Sequence, residues 1–259
     1  TVEDEWGTPV DAAKLQDALT QNPDAKIVAF VHAETSTGVC SDAKTLCAMA
    51  AQAGCLSIVD SVTGLAGVEL LVDEWAADVT YSGTQKCLSA PPGISLITFS
   101  DKAAARVQSR NTPVQSWFLD LSLLMAYWQG EGARTYHHTA PVNAMYGLHE
   151  ALLMVKEEGI ENAWQRHRDM HGLLAEGVNS LGLDFVVDAE CRLPQLNLVR
   201  CPEGLDEAAV RRRLLEEYNL EIGAGLGAFA GKVWRIGLMG YSARRENVEL
   251  CISALRSCI

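Results

Sequence analysis

An α/β fold is predicted for this chain: a mostly parallel sheet flanked by helices, followed by a smaller C-terminal α+β domain. Three observations predict it. Short apolar segments alternate with amphipathic ones through the N-terminal part, in the order helix, strand, helix, strand. Three of those apolar segments run directly into polar clusters, Glu34-Thr35-Ser36, Asp60-Ser61 and Gln85-Lys86. After Gly159 the texture changes to a shorter alternation of strands and helices, which places domains at 1–158 and 159–259 with Gly159 as the joint.

Taken in order, Val10 to Leu19 predicts a short helix with Leu15, Ala18 and Leu19 on one face. Lys26 to Val31 predicts a buried strand. Asp42 to Ala53 predicts a helix with Leu46, Met49 and Ala50 inward, stopped by Gly54. Leu56 to Val59 is the next strand, a short helix is expected around Val72 to Trp75, and strands follow near Asp78 to Tyr81 and from Ile94 to Phe99. The middle is helical: Leu119 to Trp128, then Asn143 to Glu158 with Met145, Leu148, Leu152 and Val155 as its apolar stripe, then Ile160 to about Leu181. Beyond it, strands are expected at Asp184–Val187, Gln195–Val199 and Lys232–Leu238, with helices at Asp206–Tyr218 and Glu246–Arg256.

The 259 residues suffice for one large core or two smaller ones, and a hydrophobic share of 48% excludes a disordered chain. A formal net charge of −12 argues against a nucleic-acid partner. The longest apolar runs are strand-sized, so no membrane span or signal peptide is expected. Eight cysteines are scattered without a CxxC pair, which favours free thiols in a reducing, cytoplasmic setting over disulfides or a metal. His167 and His171 share a helix face but lack a third ligand, so no metal site is expected. The chain begins at Thr1 in what reads as the middle of a domain, and sequence is expected to be missing upstream.

Parallel sheets gather ligands at the carboxyl ends of their strands, where the three polar clusters fall. Lys86 at the floor of such a cleft becomes a nucleophilic amine if desolvated; a solvated surface lysine is the ordinary alternative. Asp60 directly follows an apolar strand and needs a partner there. A protonated pyridine nitrogen serves, as would a helix N-terminus, Mg²⁺ or a ribose. Thr35 and Ser36 offer hydroxyls for a phenolate oxygen, or caps for the following turn. Gln85 could hold a phosphate oxygen.

The runs His32-Ala33-Glu34-Thr35-Ser36-Thr37-Gly38, Val59-Asp60-Ser61-Val62, Tyr81-Ser82-Gly83-Thr84-Gln85-Lys86, Ala90-Pro91-Pro92-Gly93, Tyr136-His137-His138-Thr139 and Lys232-Val233-Trp234-Arg235-Ile236-Gly237 together resemble the alanine–glyoxylate and serine–pyruvate aminotransferases. These are class-V enzymes of fold type I that use pyridoxal 5'-phosphate (PLP). The resemblance implies that Lys86 is the Schiff-base lysine, Asp60 the partner of the pyridine nitrogen and Val62 the residue under the ring. It implies Thr35 near the ring oxygen and Gln85 at the phosphate. Tyr136 and Thr139 match residues that reach the phosphate of a neighbouring subunit, which implies a homodimer with shared sites. Arg235 matches the arginine that grips the substrate carboxylate, a role suited to the guanidinium fork. The activity implied is ping-pong transfer of an amino group from alanine or serine to glyoxylate or pyruvate. The family's glycine-rich phosphate turn and its ring-stacking aromatic residue have no counterpart in the sequence. The alternatives are a cysteine desulfurase or lyase of the same fold, for which Cys191 and Cys201 are the available thiols, and a non-catalytic fragment that binds a partner.

Overall fold

The computed structural model describes residues 1–129 and 135–259. Helix α1 (Ala12–Gln21) starts where the Asp11 carboxylate accepts the N–H groups of Ala13 and Lys14. Strand β1 (Ile27–Val31) leads into a hairpin of β2 (Ala33–Glu34) and β3 (Val39–Cys40). Gly38 closes that hairpin at φ +75°, and a Cβ there would stand 2.9 Å from the Leu196 carbonyl oxygen, so the turn requires glycine twice over. Helix α2 (Ala43–Gln52), capped by Asp42 and terminated before left-handed Gly54, returns the chain to β4 (Leu56–Asp60). Strands β5 (Val79–Gly83) and β6 (Ser95–Phe99) complete the first sheet.

That sheet has the order β1-β4-β5-β6. The β1–β4 and β4–β5 pairs are parallel, with Val31 opposite Asp60 and Asp60 opposite Tyr81. Strand β6 is antiparallel to β5. Helices follow: α3 (Asp101–Gln108), α4 (Leu121–Gln129), α5 (Val142–Glu158) and α6 (Ile160–Ser180). Gly159, at φ +85°, is the corner between the last two. The C-terminal part contains β7 (Leu196–Arg200), α7 (Glu207–Tyr218), β8 (Gly223–Ala224), β9 (Val233–Gly237) and α8 (Arg245–Cys258), with the antiparallel order β7-β9-β8. Its core packs α6, α7 and α8 on that sheet around Leu174, Val178, Val199, Leu214, Trp234 and Leu255, all fully buried. Each buried aliphatic side chain there contributes about 1.5–3 kcal/mol relative to exposure.

The expected α/β architecture is therefore the observed one, with local differences. Val72–Trp75 is a single turn, because Ala76 adopts a left-handed φ of +51° and ends it. Asp184–Val187 makes only an isolated bridge, Phe185 to Val199, in place of a strand. The buried face of α5 centres on Ala151, with Leu148 and Val155 beside it. Met145 and Leu152 lie at the edge of the expected stripe and are 50% and 46% exposed. Strand β1 is buried on one face only: Val28 packs against α1 and α2, whereas Ile27 is 54% exposed. Ile97 and Tyr81 are also exposed, and no described element covers that face of the sheet. Helix α3 and the β2–β3 hairpin were not anticipated from the sequence.

Candidate functional site

The ends of β1, β4 and β5 lie side by side, which is what parallel register imposes. Asp60 is the last residue of β4. Its Oδ1 accepts the Val62 N–H at 2.9 Å and its Oδ2 accepts the Tyr81 hydroxyl at 2.7 Å. Its carbonyl accepts the His32 N–H, which ties the start of the β2–β3 hairpin to the same edge. Val62 follows two residues later, half-buried.

Lys86 sits in the turn after β5. The turn is held by Ala90 N–H donating to the Thr84 carbonyl, by the Thr84 hydroxyl on the Pro91 carbonyl at 2.6 Å, and by Ser89 N–H on the Lys86 carbonyl. Next to Lys86, Cys87 is buried with its Sγ 3.5 Å from the Thr63 carbonyl, and burial pushes its thiol up to about 12. The neighbouring backbones are packed so closely that a Cβ on Gly67 would stand 2.7 Å from Cys87 Sγ, and one on Gly240 2.4 Å from the Cys87 carbonyl oxygen. The Lys86 loop is thus rigid at its base. Lys86 is half-buried and its ammonium forms no ion pair among the described residues. Gln85 is exposed and folds its amide back over Gly83.

In the hairpin, the Ser36 hydroxyl and N–H both donate to the Glu34 carboxylate, at 2.6 and 2.7 Å. Ser36 is committed to that turn, which leaves Thr35 as the hydroxyl available to a ligand. The Thr35 carbonyl accepts Arg235 Nη1 at 3.1 Å, and Arg235 Nε donates to the Ala224 carbonyl at 2.7 Å. Arg235 is half-buried on β9. A guanidinium has five N–H donors, so two hold its orientation and three remain for a carboxylate.

The structure thus brings Thr35, Asp60, Val62, Gln85, Lys86 and Arg235 to one edge. It does not bring Tyr136 and Thr139 there. Their hydroxyls hydrogen-bond each other, both side chains are exposed, and neither bonds a residue of the Asp60–Lys86–Arg235 group. His137 stacks on Trp117 with ring centroids 4.0 Å apart and bonds its carbonyl, so it orients its loop. His167 and His171 face the interior with protein partners, and no metal-ligating cluster occurs among the described residues.

Sequence reasoning missed two residues here. Tyr81 was read only as part of a motif, although β4–β5 register alone places it beside Asp60. Gln195 is fully buried, and its Nε2 donates to the Thr63 carbonyl behind Lys86. No local pattern announces that contact across 132 residues.

The residues present suit pyridoxal phosphate. Among the described residues, Asp60 is a carboxylate already aligned by two donors, Lys86 forms no ion pair, the Thr35 hydroxyl is not taken up, and Arg235 has donors left over on the second sheet. Comparison with known proteins agrees. The class-V aminotransferase family profile matches residues 4–250. The chain is 40% identical over 248 residues to the alanine–glyoxylate aminotransferase of Rattus norvegicus, covering 95% of this chain and 60% of that protein. It is 37% identical over 276 residues to the (S)-ureidoglycine–glyoxylate transaminase of Bacillus subtilis, covering 100% of this chain and 66% of that one. The crystal structure of an alanine–glyoxylate aminotransferase from Nostoc sp. superposes with a TM-score of 0.94 at 44% identity, over 98% of this chain and 67% of that structure. The chain therefore spans less than two thirds of the length of these curated relatives, and its fold is the fold-type-I architecture. With a profile match across nearly its whole length, the chain belongs to the class-V aminotransferase family.

Proposed function

We propose that the protein is a PLP-dependent transaminase that moves an amino group from a small amino acid to a 2-oxo acid, with glyoxylate as the first acceptor to test. The observation that carries this reading is the meeting of Asp60, Lys86 and Arg235 at one edge, each with donors or acceptors left for a ligand. Glyoxylate is favoured because it is the partner named in common by the two relatives, whose donors differ. Alanine is the first donor to try, serine the second, and pyruvate the alternative acceptor.

Arg235 binds the substrate carboxylate through its free N–H groups. Asp60 would hold a proton on the ring nitrogen, Val62 would pack against the ring, Thr35 would donate to the ring oxygen and Gln85 would donate to the phosphate. When bound, the cofactor supplies the electron sink for charge left at the substrate Cα. Lys86 Nζ would take the Cα proton and deliver it to the cofactor's C4′, acting as base and then acid. We assign 1–158 to the cofactor-holding unit and 159–259 to the small domain that carries Arg235.

A homodimer belongs to the reading, with Tyr136 and Thr139 serving the phosphate of the partner subunit. The exposed aromatic side chains of Trp117, Phe118, Tyr136 and Tyr146 support it. The eight free cysteines suit a reducing cytoplasm. Thiol chemistry at the cofactor is disfavoured, because Cys191 and Cys201 donate to the Asp188 and Leu205 carbonyls and burial raises both thiols.

The test is to incubate the full-length protein with PLP, reduce with borohydride and map the adduct by peptide mass, then assay L-alanine with glyoxylate for pyruvate and glycine. An adduct on Lys86 that disappears in Lys86→Ala, together with turnover, supports the reading. A protein that takes up no cofactor overturns it and favours a binding role.

A further inference from the structure

We propose that Tyr81 is the positioning residue for Asp60, fixing the plane of its carboxylate so that it meets a protonated ring nitrogen without having to rotate. The inference rests on the cofactor reading given above and extends it to a residue outside the expected set.

The geometry comes from the sheet. Asp60 and Tyr81 are register partners on adjacent parallel strands, so their side chains share a face. The Tyr81 hydroxyl donates to Asp60 Oδ2 at 2.7 Å while the Val62 N–H donates to Oδ1 at 2.9 Å. Each oxygen has one donor, and the two donors come from opposite ends of the carboxylate. An ionised carboxylate is acceptor-only with about four lone-pair sites, so two remain for a ligand. Val31, opposite Asp60 on β1, and Ile97, opposite Tyr81 on β6, are apolar and offer no competing side-chain donor. Although the ring is exposed, partial desolvation of the Tyr81 phenol first and the Asp60 carboxylate second push it up to about 12, so it stays a donor throughout the working pH range.

A charge-assisted hydrogen bond that also fixes orientation acts on the cofactor only through Asp60. That dependence separates a positioning role from a generally structural one, since the effect of removing the hydroxyl must vanish when the carboxylate is gone. The experiment uses the full-length protein as wild type, Tyr81→Phe, Asp60→Asn and the double variant, each loaded with PLP labelled with ¹⁵N in the ring. The ¹⁵N resonance and the PLP dissociation constant are read for all four, with kcat as a third measurement. The expected result is that Tyr81→Phe moves the resonance toward the unprotonated position and weakens PLP retention by about 3–10-fold. It should do neither when added to Asp60→Asn. An unmoved resonance in Tyr81→Phe, or an equal loss of affinity with and without Asp60, overturns the proposal while leaving the transaminase reading intact. A wild-type protein that takes up no PLP overturns both.

Discussion

His167 Nε2 accepts the Gly240 backbone N–H at 2.9 Å, and its Nδ1 lies 2.6 Å from the Ala163 carbonyl. One nitrogen accepts and the other donates, which is the neutral tautomer. Protonation would turn two N–H groups toward each other at a fully buried position.

A pH dependence follows. Burial is the main cause holding His167 below the ordinary histidine value of 6.5, and the same is true of His171. The unfolded chain therefore binds more protons than the folded one just below that value, so stability rises with pH in this window. The contribution is fully present above pH about 6.5 and is lost as pH falls toward the folded values, with a limiting slope of about 1.4 kcal/mol per pH unit for each site. Melting temperatures measured from pH 8 to pH 5 should fall below about pH 6.5. His167→Gln, whose amide can also accept and donate, should flatten part of that fall. An unchanged profile in the variant would show that His167 is not the titrating group.

Arg235→Lys should weaken carboxylate binding without releasing the cofactor. Lysine keeps the charge but loses the fork and both tethers to Thr35 and Ala224. Loss of a charge-assisted pair is worth about 1.5–3 kcal/mol, which raises the KM for both acid substrates by roughly 10–100-fold. The absorbance of bound PLP should stay as in the wild type. Loss of that band would place Arg235 in cofactor binding instead.

Gly67→Ala should destabilise the protein by about 1–3 kcal/mol through overpacking. The added methyl meets Cys87 Sγ at 2.7 Å and the Gln195 amide at 3.0 Å. Cys87→Ala opens space for it, so the double variant should recover part of the loss. Urea midpoints for the four proteins give the coupling, and strict additivity would mean that the clash is relieved elsewhere.

Arg166 binds Glu158 through two hydrogen bonds, at 2.5 and 2.9 Å, and also donates to the Gly240 and Ala243 carbonyls. Both charged side chains are about 30% exposed, at 31% and 30%. Arg166→Ala takes this donor from the Glu158 carboxylate and the Ala243 carbonyl, while the Gly240 carbonyl keeps the Ala243 N–H, and should cost about 2 kcal/mol, measured as a shift in denaturation midpoint. Arg166→Lys should restore only part of it, because an ammonium cannot reproduce the bidentate contact. Full recovery would indicate that charge alone matters at this corner.

The part of the site that was readable in the sequence is the part set by strand direction. An apolar run ending in a polar cluster fixes where a parallel strand stops, so Thr35, Asp60 and Lys86 could be placed together before any coordinates. What escaped depends on register or on distant packing. Nothing local pairs Tyr81 with Asp60. The antiparallel direction of β6 was equally hidden, because one apolar run reads the same in either sense. The open face of β1 was hidden too: Ile27 looks like a core residue until the helices are seen to pack on the other side.

The Arg235–Thr35 hydrogen bond joins residues 200 positions apart. Translation adds residues from the N-terminus, and contacts between distant segments form late. A nascent chain that already holds Thr35, Asp60 and Lys86 must wait for β9 to emerge before Arg235 can reach the Thr35 carbonyl. Arg235, which we propose binds the acid substrate, therefore reaches its tether only after the sheet edge that carries Thr35, Asp60 and Lys86 has been synthesised.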